Sequence, residues 1–311
     1  MRIPTSSFPN SLVSQLQQLS ERQNRLQNQA ATGQRVQVPS DDPAAMRRVM
    51  DLQAESTALT QYQRNTVGAQ EVAQATFTAI KGFKTTSDRA NEIATLAGGV
   101  NSSADLKTYV KEVNELIKQG LANANTQHQG SYLFGGTKSD QAPFTATTDS
   151  EGNVLTVTYQ GNSTVAETEV MQGVSVSARV PGANTTGSGP KGLLTDSRTG
   201  ADFFNHLLSL RDHLANGDKT AVLSTDAPQL RADEDNLINH LGSNGAVQAR
   251  IETASSLSAA RSLSLEKLVS READADLTQT IVRLNETQTA YQAALQSGGK
   301  ILNQSLLDYI Q

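Results

Sequence analysis

Apolar residues near the start of the chain recur at alternating steps of four and three, on a surface otherwise rich in Gln, Asn, Ser and Arg. The residues of this stripe are Leu12, Leu16, Leu19 and Leu26. Heptad spacing of this kind predicts an amphipathic helix that packs against another helix. We expect the helix to end near Thr32, because Gly33 tolerates the left-handed backbone that often follows a helix.

The segment "ATGQRVQVPSDDPAAMRR" separates this stripe from a second helical pattern. Pro43 suits the first position of a helix, where its missing N–H would be unpaired in any case. Asp42 then suits the N-cap, and Asp41 adds negative charge near the positive end of the helix dipole. The acid pair therefore predicts a helix start and not acid–base catalysis. The residues of this signature are Gly33, Arg35, Ser40, Asp41, Asp42 and Pro43.

The pattern stays helical from Pro43 to Ala97, and a third helix is predicted from Ala104 to about Thr126. The middle of the chain differs. Alternating runs on either side of Asp149–Asn153 predict a β-hairpin, and Thr164–Val180 predicts a second one. A segment rich in Gly and Pro, Pro181–Gly192, is expected to be a flexible surface loop. We therefore predict a small β insertion over about 138–200.

Helical patterns return after the insertion. They predict one helix over Ala201–Ala215, one from about 219 to 241 that ends at "LGSNG", and one over Ala246–Ser297. Around Arg271–Leu277 the apolar stripe changes face, which indicates a junction between two packing environments. The apolar residues beyond that junction are Leu277, Ile281, Leu284, Tyr291, Leu295 and Leu302.

These patterns predict a mainly α fold, with long antiparallel coiled-coil rods from both termini and a small β-rich domain inserted in the middle. The predicted regions are a terminal coiled-coil domain (1–32 and 277–311), a helical rod domain (33–137 and 235–276) and an inserted outer domain (138–234). A single apolar stripe cannot be buried by its own helix. We expect the two terminal stripes to pair and to form a self-assembly interface, with disorder in the free monomer. An ordinary helical-bundle core is the alternative.

Composition excludes several classes of function. The chain has 311 residues, a formal net charge of -5, 4% aromatic residues and no Cys. The charge does not favour nucleic acid or an anionic membrane as a partner, and without Cys there is no disulfide or thiolate metal site. No run approaches the roughly 20 apolar residues of a membrane span. The first residues lack the apolar region of a cleavable signal, so we expect no such signal.

Other candidate chemistry is weak. His128, His206, His213 and His240 have no accompanying ligand pattern. The run Asp149–Asn153 lacks the spacing of a calcium loop, and Gly187–Gly192 lacks the full phosphate-loop pattern. We therefore predict no catalytic site, cofactor or metal ion.

The N-terminal segment "ATGQRVQVPSDDPAAMRR" resembles the signature of flagellins and their hook-associated relatives. "LGSNGAVQARIETASSL" is similar to the start of that family's C-terminal rod, and "READADLTQTIVRLNETQTAYQAALQSGGKILNQSLLDYI" to its terminal segment. The resemblance covers about 1–137 and 235–311. Within the family, "PSDDPAA", "GSYLFGGTKSDQAPF" and "SLLDYI" look more like the hook–filament junction proteins than like filament subunits.

The resemblance implies a mechanical role without catalysis. Members of this family are exported unfolded by the flagellar type III apparatus, and a chaperone is expected to hold the C-terminal segment. Outside the cell, copies of the chain would form a homo-oligomeric ring between the first hook-associated protein and flagellin. Three alternatives remain at this point: a flagellin filament subunit, a secreted adhesin or hydrolase with helical arms, and a cytoplasmic coiled-coil scaffold.

Overall fold

The computed structural model describes residues 7–99 and 102–310, and the side chains of 10–99 and 102–300. It is mainly helical with short strands in the middle of the chain, which confirms the predicted fold class. The helices are α1 (Ser7–Thr32), α2 (Pro43–Gly99), α3 (Ser103–Ala124), α4 (Phe203–Asn216), α5 (Lys219–Ala221), α6 (Ala227–Ala273) and α7 (Leu277–Ile310).

The end of α1 and the start of α2 lie where they were predicted, and α2 ends two residues beyond the predicted Ala97. Helix α1 ends at Thr32, and Gly33 follows it with a φ of 73°, a left-handed conformation that suits glycine. Helix α2 begins at Pro43. Helix α3 is capped by Ser102, whose hydroxyl accepts hydrogen bonds from the N–H groups of Ala104 and Asp105.

Both predicted hairpins are present. The strands are β1 (Gln127–His128), β2 (Ser131–Tyr132), β3 (Phe144–Thr148), β4 (Val154–Tyr159), β5 (Thr168–Met171), β6 (Val174–Val176), β7 (Ala183–Asn184), β8 (Thr195–Asp196) and β9 (Ala201–Asp202). β3 pairs with β4, and β5 pairs with β6, in antiparallel register. The turn between β3 and β4 is closed by Asp149, whose carboxylate accepts hydrogen bonds from the backbone of Glu151 and Asn153.

The expected loop Pro181–Gly192 contains a strand. β7 pairs with β8 in parallel and β8 pairs with β9 in antiparallel register, forming a three-stranded sheet. Asn184 is buried, and its side-chain amide donates to the carbonyls of Ser188 and Pro190. These internal hydrogen bonds replace the solvent contacts on which the loop prediction rested.

The predicted helix end at "LGSNG" is wrong. Helix α6 continues through Gly242 and Gly245 to Ala273, and a Cβ at either glycine would meet nothing within 4 Å. Each glycine costs a helix about 1 kcal/mol relative to alanine, which the packing of the flanking turns outweighs. The predicted helix Ala246–Ser297 is instead interrupted at 274–276, within the segment where the apolar stripe changes face.

One π turn precedes α6. Val222–Asp226 forms it, and the N–H of Ala227 donates to the carbonyl of Val222 five residues earlier. Pro228 explains this geometry, because proline has no N–H to donate to residue 224 and its ring crowds that carbonyl. Asp226, the last residue of the π turn, has a completely buried side chain.

The chain forms two compact units, Met1–Ala58 with Arg261–Gln311, and Leu59–Ala260. These units do not follow the boundaries of the three predicted regions, and that division stays a prediction. In the second unit, α2 and α3 pack antiparallel, because Arg89 forms an ion pair with Glu112 while Gly82, two turns earlier on α2, lies against Asn123 at the end of α3. The core there contains Phe83, Phe134 and Phe203, all buried, with edge-to-face ring contacts at 5.6–5.9 Å.

Candidate assembly site

Two segments far apart in sequence meet in the first unit, and we call their junction the clasp: Gly33–Val36 with Glu272–Asp276. The N–H of Arg35 donates to the carbonyl of Ala273 (2.6 Å), and the N–H of Ala275 donates to the carbonyl of Gly33 (2.8 Å). Gln34 and Asp274 form an antiparallel bridge between these bonds. The clasp therefore joins the end of α1 to the break between α6 and α7.

Arg35, a residue of the predicted signature, ties the clasp to the start of α2. Its guanidinium donates to the backbone carbonyl of Glu272 (2.8 Å) and to the carboxylate of Asp42 (3.3 Å). Arg48, one turn into α2, donates to the carboxylate of Glu272 at 2.8 Å. Arg35 thus contacts both the N-terminal signature, through Asp42, and the C-terminal side of the clasp, through Glu272.

The two aspartates of the signature have different partners. Asp42 caps α2, since its Oδ1 accepts from the N–H of Ala45 at 3.0 Å. Asp41 instead accepts from the N–H groups of Gln37 and Val38, both at 3.1 Å, and so closes the turn before the helix. Ser40 is exposed beside them, and Pro43 opens the helix.

Asp276 caps the start of α7 as Asp42 caps α2, since its Oδ1 accepts from the N–H of Gln279 at 3.1 Å. Hydrogen bonds and charge lower the pKa of Glu272 in the clasp and of Asp41 and Asp42 beside it. The N–H of Ala45 and then Arg35 lower the pKa of Asp42, the N–H groups of Val38 and Gln37 lower that of Asp41, and Arg48 lowers that of Glu272.

Acid is therefore expected to loosen the clasp. A carboxyl whose pKa is lower in the folded state stabilises the fold at any pH above its unfolded-state pKa, which is 3.8 for Asp and 4.5 for Glu. This contribution is lost as the pH falls through the folded-state pKa. We expect resistance of the first unit to urea to fall as the pH drops below about 4.5. Asp42→Asn keeps a good N-cap residue and removes the titration, so its stability should depend less on pH.

The full chain is unfolded in urea at pH 5.5 and at pH 3.5, and unfolding is monitored by hydrogen exchange of the amides at the start of α2. The comparison gives the loss of stability between the two pH values for the wild type and for Asp42→Asn. Asp51→Asn, at an exposed position on the same helix, controls for the loss of one carboxylate. Equal pH dependence in the wild type and Asp42→Asn would contradict the assignment.

Helix α1 packs along α7 in the predicted antiparallel direction. A Cβ on Gly298 would lie 2.5 Å from the side chain of Leu12, near one end of the pair, and the clasp lies at the other end. Leu26 is buried, and Leu12, Leu16 and Leu19 are half-buried. The covered residues of α7 repeat at steps of four and three, and they are Thr280, Leu284, Thr287, Tyr291, Ala294 and Gly298.

The remaining predicted interface residues of α7 lie outside this seam. Leu277, Ile281 and Leu295 are each about half exposed (47%, 49% and 47%). At 100° per residue they lie roughly 60–100° around the helix from the centre of the seam. We call these three residues the exposed stripe. The side chain of Leu302 lies outside the described residues.

The predicted self-assembly residues thus divide into two groups. The leucines of α1, together with Leu284 and Tyr291, lie in the seam within one chain, whereas the described side chains of that chain leave the exposed stripe about half open to solvent. Apolar periodicity alone could not separate the two groups of residues, because the two helix faces are adjacent and both are apolar.

Three of the four histidines of the second unit have a carboxylate or carbonyl partner, whereas His128 Nε2 lies 3.8 Å from the Glu71 carboxylate, beyond hydrogen-bond distance. His206 and His213 contact Asp233 and Asp226, and His240 contacts the carbonyl of Gly192. Among the side chains described, no three His, Asp or Glu residues converge as a metal site would require. Within the described part of the chain, no helix combines the length and apolarity needed to cross a membrane.

Residues 3–139 match the family model described as the bacterial flagellin N-terminal helical region. Flagellar hook-associated protein 3 of Salmonella typhimurium is 29% identical over 166 residues, which cover 52% of this chain and 52% of that protein. The chain therefore spans about half the length of that curated relative.

Two solved structures have a similar fold. One is a putative flagellar hook-associated protein from Vibrio parahaemolyticus, with a TM-score of 0.63 and 19% identity, covering 75% of this chain and all of that one. The other is the flagellar junction protein FlgL from Legionella pneumophila, with a TM-score of 0.51 and 18% identity, covering 71% of this chain and all of that one. The matched N-terminal region, the curated relative and this shared fold show that the chain is similar to the flagellins and to their hook-associated relatives.

Proposed function

We propose that this protein is a structural subunit of the bacterial flagellum, outside the cell, that polymerises into a ring at the junction between hook and filament. The exposed stripe carries the proposal. Three large apolar side chains lie in one row on α7 beside a face that α1 already covers. Such a row is stabilised when a neighbouring copy removes it from water, at about 25 cal/mol per Å² of apolar surface.

The proposed binding partners are taken from the proteins that this chain resembles. The relatives are named hook-associated and junction proteins, which supports the first hook-associated protein on one side of the ring and flagellin on the other. A chaperone that holds the C-terminal segment before type III export would cover the same stripe. In this proposal the terminal region (1–32 and 277–311) forms the inner assembly contacts, 33–137 with 235–276 the rod, and 138–234 the outer surface. The role is mechanical, without catalysis.

Charge substitution on the exposed stripe tests the proposal. We expect Ile281→Asp with Leu295→Asp to leave the helical content unchanged, because both side chains are exposed. The same variant should fail to form rings or polymers in sedimentation and electron microscopy, because each assembled contact would bury an unpaired carboxylate. In cells that lack the native protein, filaments should be shed and motility lost.

Thr289→Asp with Gln296→Asp is the matched control, since it adds the same charge at exposed positions on the far side of α7. This control should assemble and support motility. A stripe variant that assembles and restores swimming as well as the control does would exclude the stripe as the contact between copies.

A further inference from the structure

Helix α4 is held in the second unit by two buried aspartates from the π turn and α6. Asp226 and Asp233 are 0% and 1% exposed, and each contacts a histidine of α4. The distance from His206 Nδ1 to Asp233 Oδ2 is 2.8 Å, and that from His213 Nδ1 to Asp226 Oδ2 is 2.7 Å. The two histidines are seven residues apart, two turns of one helix, so both lie on the face toward the aspartates.

The carboxylates are well supplied with donors. Asp233 Oδ1 accepts from the N–H of Asp202, the residue that precedes α4, at 2.8 Å. Asp226 Oδ1 accepts from the hydroxyl of Ser209 at 2.7 Å. An ionised carboxylate only accepts hydrogen bonds, so an imidazole paired with one donates its Nδ1–H. Burial raises the pKa of Asp233, against the hydrogen bond and charge of His206, which favour the ionised form. Buried charges of this kind are tolerated only with such partners, and both aspartates have them.

We propose that these contacts form a proton-linked clamp, in which His206–Asp233 holds α4 against α6 more tightly when the His206 imidazole is protonated, while His213–Asp226 ties the same helix to the π turn. Protonation of an imidazole changes its neutral hydrogen bond into a charge-assisted one, which is shorter and stronger. The neutral pair keeps the bond, so the clamp weakens at high pH without coming apart.

Charges around His206 favour this response. Burial by itself lowers the pKa of His206, but the hydrogen bond and charge of Asp233, with the charges of Asp202 and Asp226, outweigh burial and raise that pKa above 6.5. A histidine with a raised folded-state pKa contributes stability that is complete below the unfolded pKa. That contribution is lost as the pH rises through the folded value.

Protonation of His240 has the opposite effect on stability, so its titration must be distinguished from that of His206. It is buried on α6 and donates to the carbonyl of Gly192 at 3.0 Å. Burial lowers its pKa and outweighs the Gly192 carbonyl and Asp196, which raise it; the charge of Lys191 adds a smaller lowering effect. Its protonation therefore costs stability as the pH falls below 6.5. His240→Gln keeps a side-chain N–H donor and removes this titration.

Histidine titration by NMR tests the clamp in the full chain, which has four His residues. With ¹³C-labelled imidazoles, each assigned by a single His→Gln variant, we expect His206 to titrate above 6.5. Asp233→Asn should move the His206 pKa downward to below 6.5, because burial then dominates. Asp235→Asn, exposed on the same helix, is the matched control and should leave His206 unchanged. A wild-type value at or below 6.5, or no shift in Asp233→Asn, would overturn the proposal.

Hydrogen exchange measures the consequence for α4. In the His240→Gln background, corrected for intrinsic rates, protection of the α4 amides should fall several-fold between pH 6 and pH 8.5. A further His206→Gln substitution should flatten this dependence. Equal pH dependence with and without His206 would also overturn the clamp. If His240→Gln proves unstable, the NMR titration of the wild type decides alone.

Discussion

Replacing Phe83 by alanine is expected to lower the free energy of unfolding of the second unit by about 3–5 kcal/mol, the usual cost of removing a fully buried aromatic ring. Phe83 is 0% exposed, and its ring centroid lies 5.9 Å from that of Phe134 and 5.6 Å from that of Phe203. The substitution would remove both edge-to-face contacts and leave a cavity between helices that cannot close over it.

Urea unfolding followed by circular dichroism measures this loss, and hydrogen exchange of α3 and α4 amides locates it. Phe77→Ala is the matched control, because Phe77 lies on the same helix and is only half-buried. We expect a clearly smaller loss there. Similar losses at the two positions would contradict a core centred on Phe83.

Leu26→Ala should have the second large effect, a loss of about 2–5 kcal/mol in the packing of α1 on α7. Leu26 is buried, whereas the other leucines of the α1 stripe are half-buried, so it forms the tightest part of the seam. It also lies two turns before the clasp. Loss of its side chain should therefore loosen the end of α1 nearest that junction.

Hydrogen exchange of α1 amides in the isolated full chain measures this effect. Val13→Ala on the exposed side of the same helix is the control, with an expected change within about 0.5 kcal/mol. Equal and rapid exchange of α1 in the wild type and both variants would mean that the seam forms only on assembly. The unpartnered apolar stripe predicts that behaviour for the free monomer, so this comparison decides whether the seam forms before or during assembly.

Helix boundaries could be predicted wherever a single residue carries the physical reason. Gly33 with its positive φ ends α1, and Asp42 with Pro43 starts α2. The change of face near 271–277 also marked a true helix break. The prediction failed at Gly242 and Gly245, because a glycine weakens a helix by an amount that packing can exceed.

Hydrophobic periodicity by itself determined the mainly helical fold and the two hairpins, because these depend on spacing within short segments. The pairing of the ends was predicted because each carries an apolar stripe that its own helix cannot bury. Only the tertiary structure decided which apolar residues of α7 face α1 and which form the exposed stripe. It also decided that Arg35 reaches Glu272 and that two histidines pair with buried aspartates. The physical reason is the same in each case: these contacts join residues whose separation along the chain says nothing about their distance in space, and the packing of several helices brings them together.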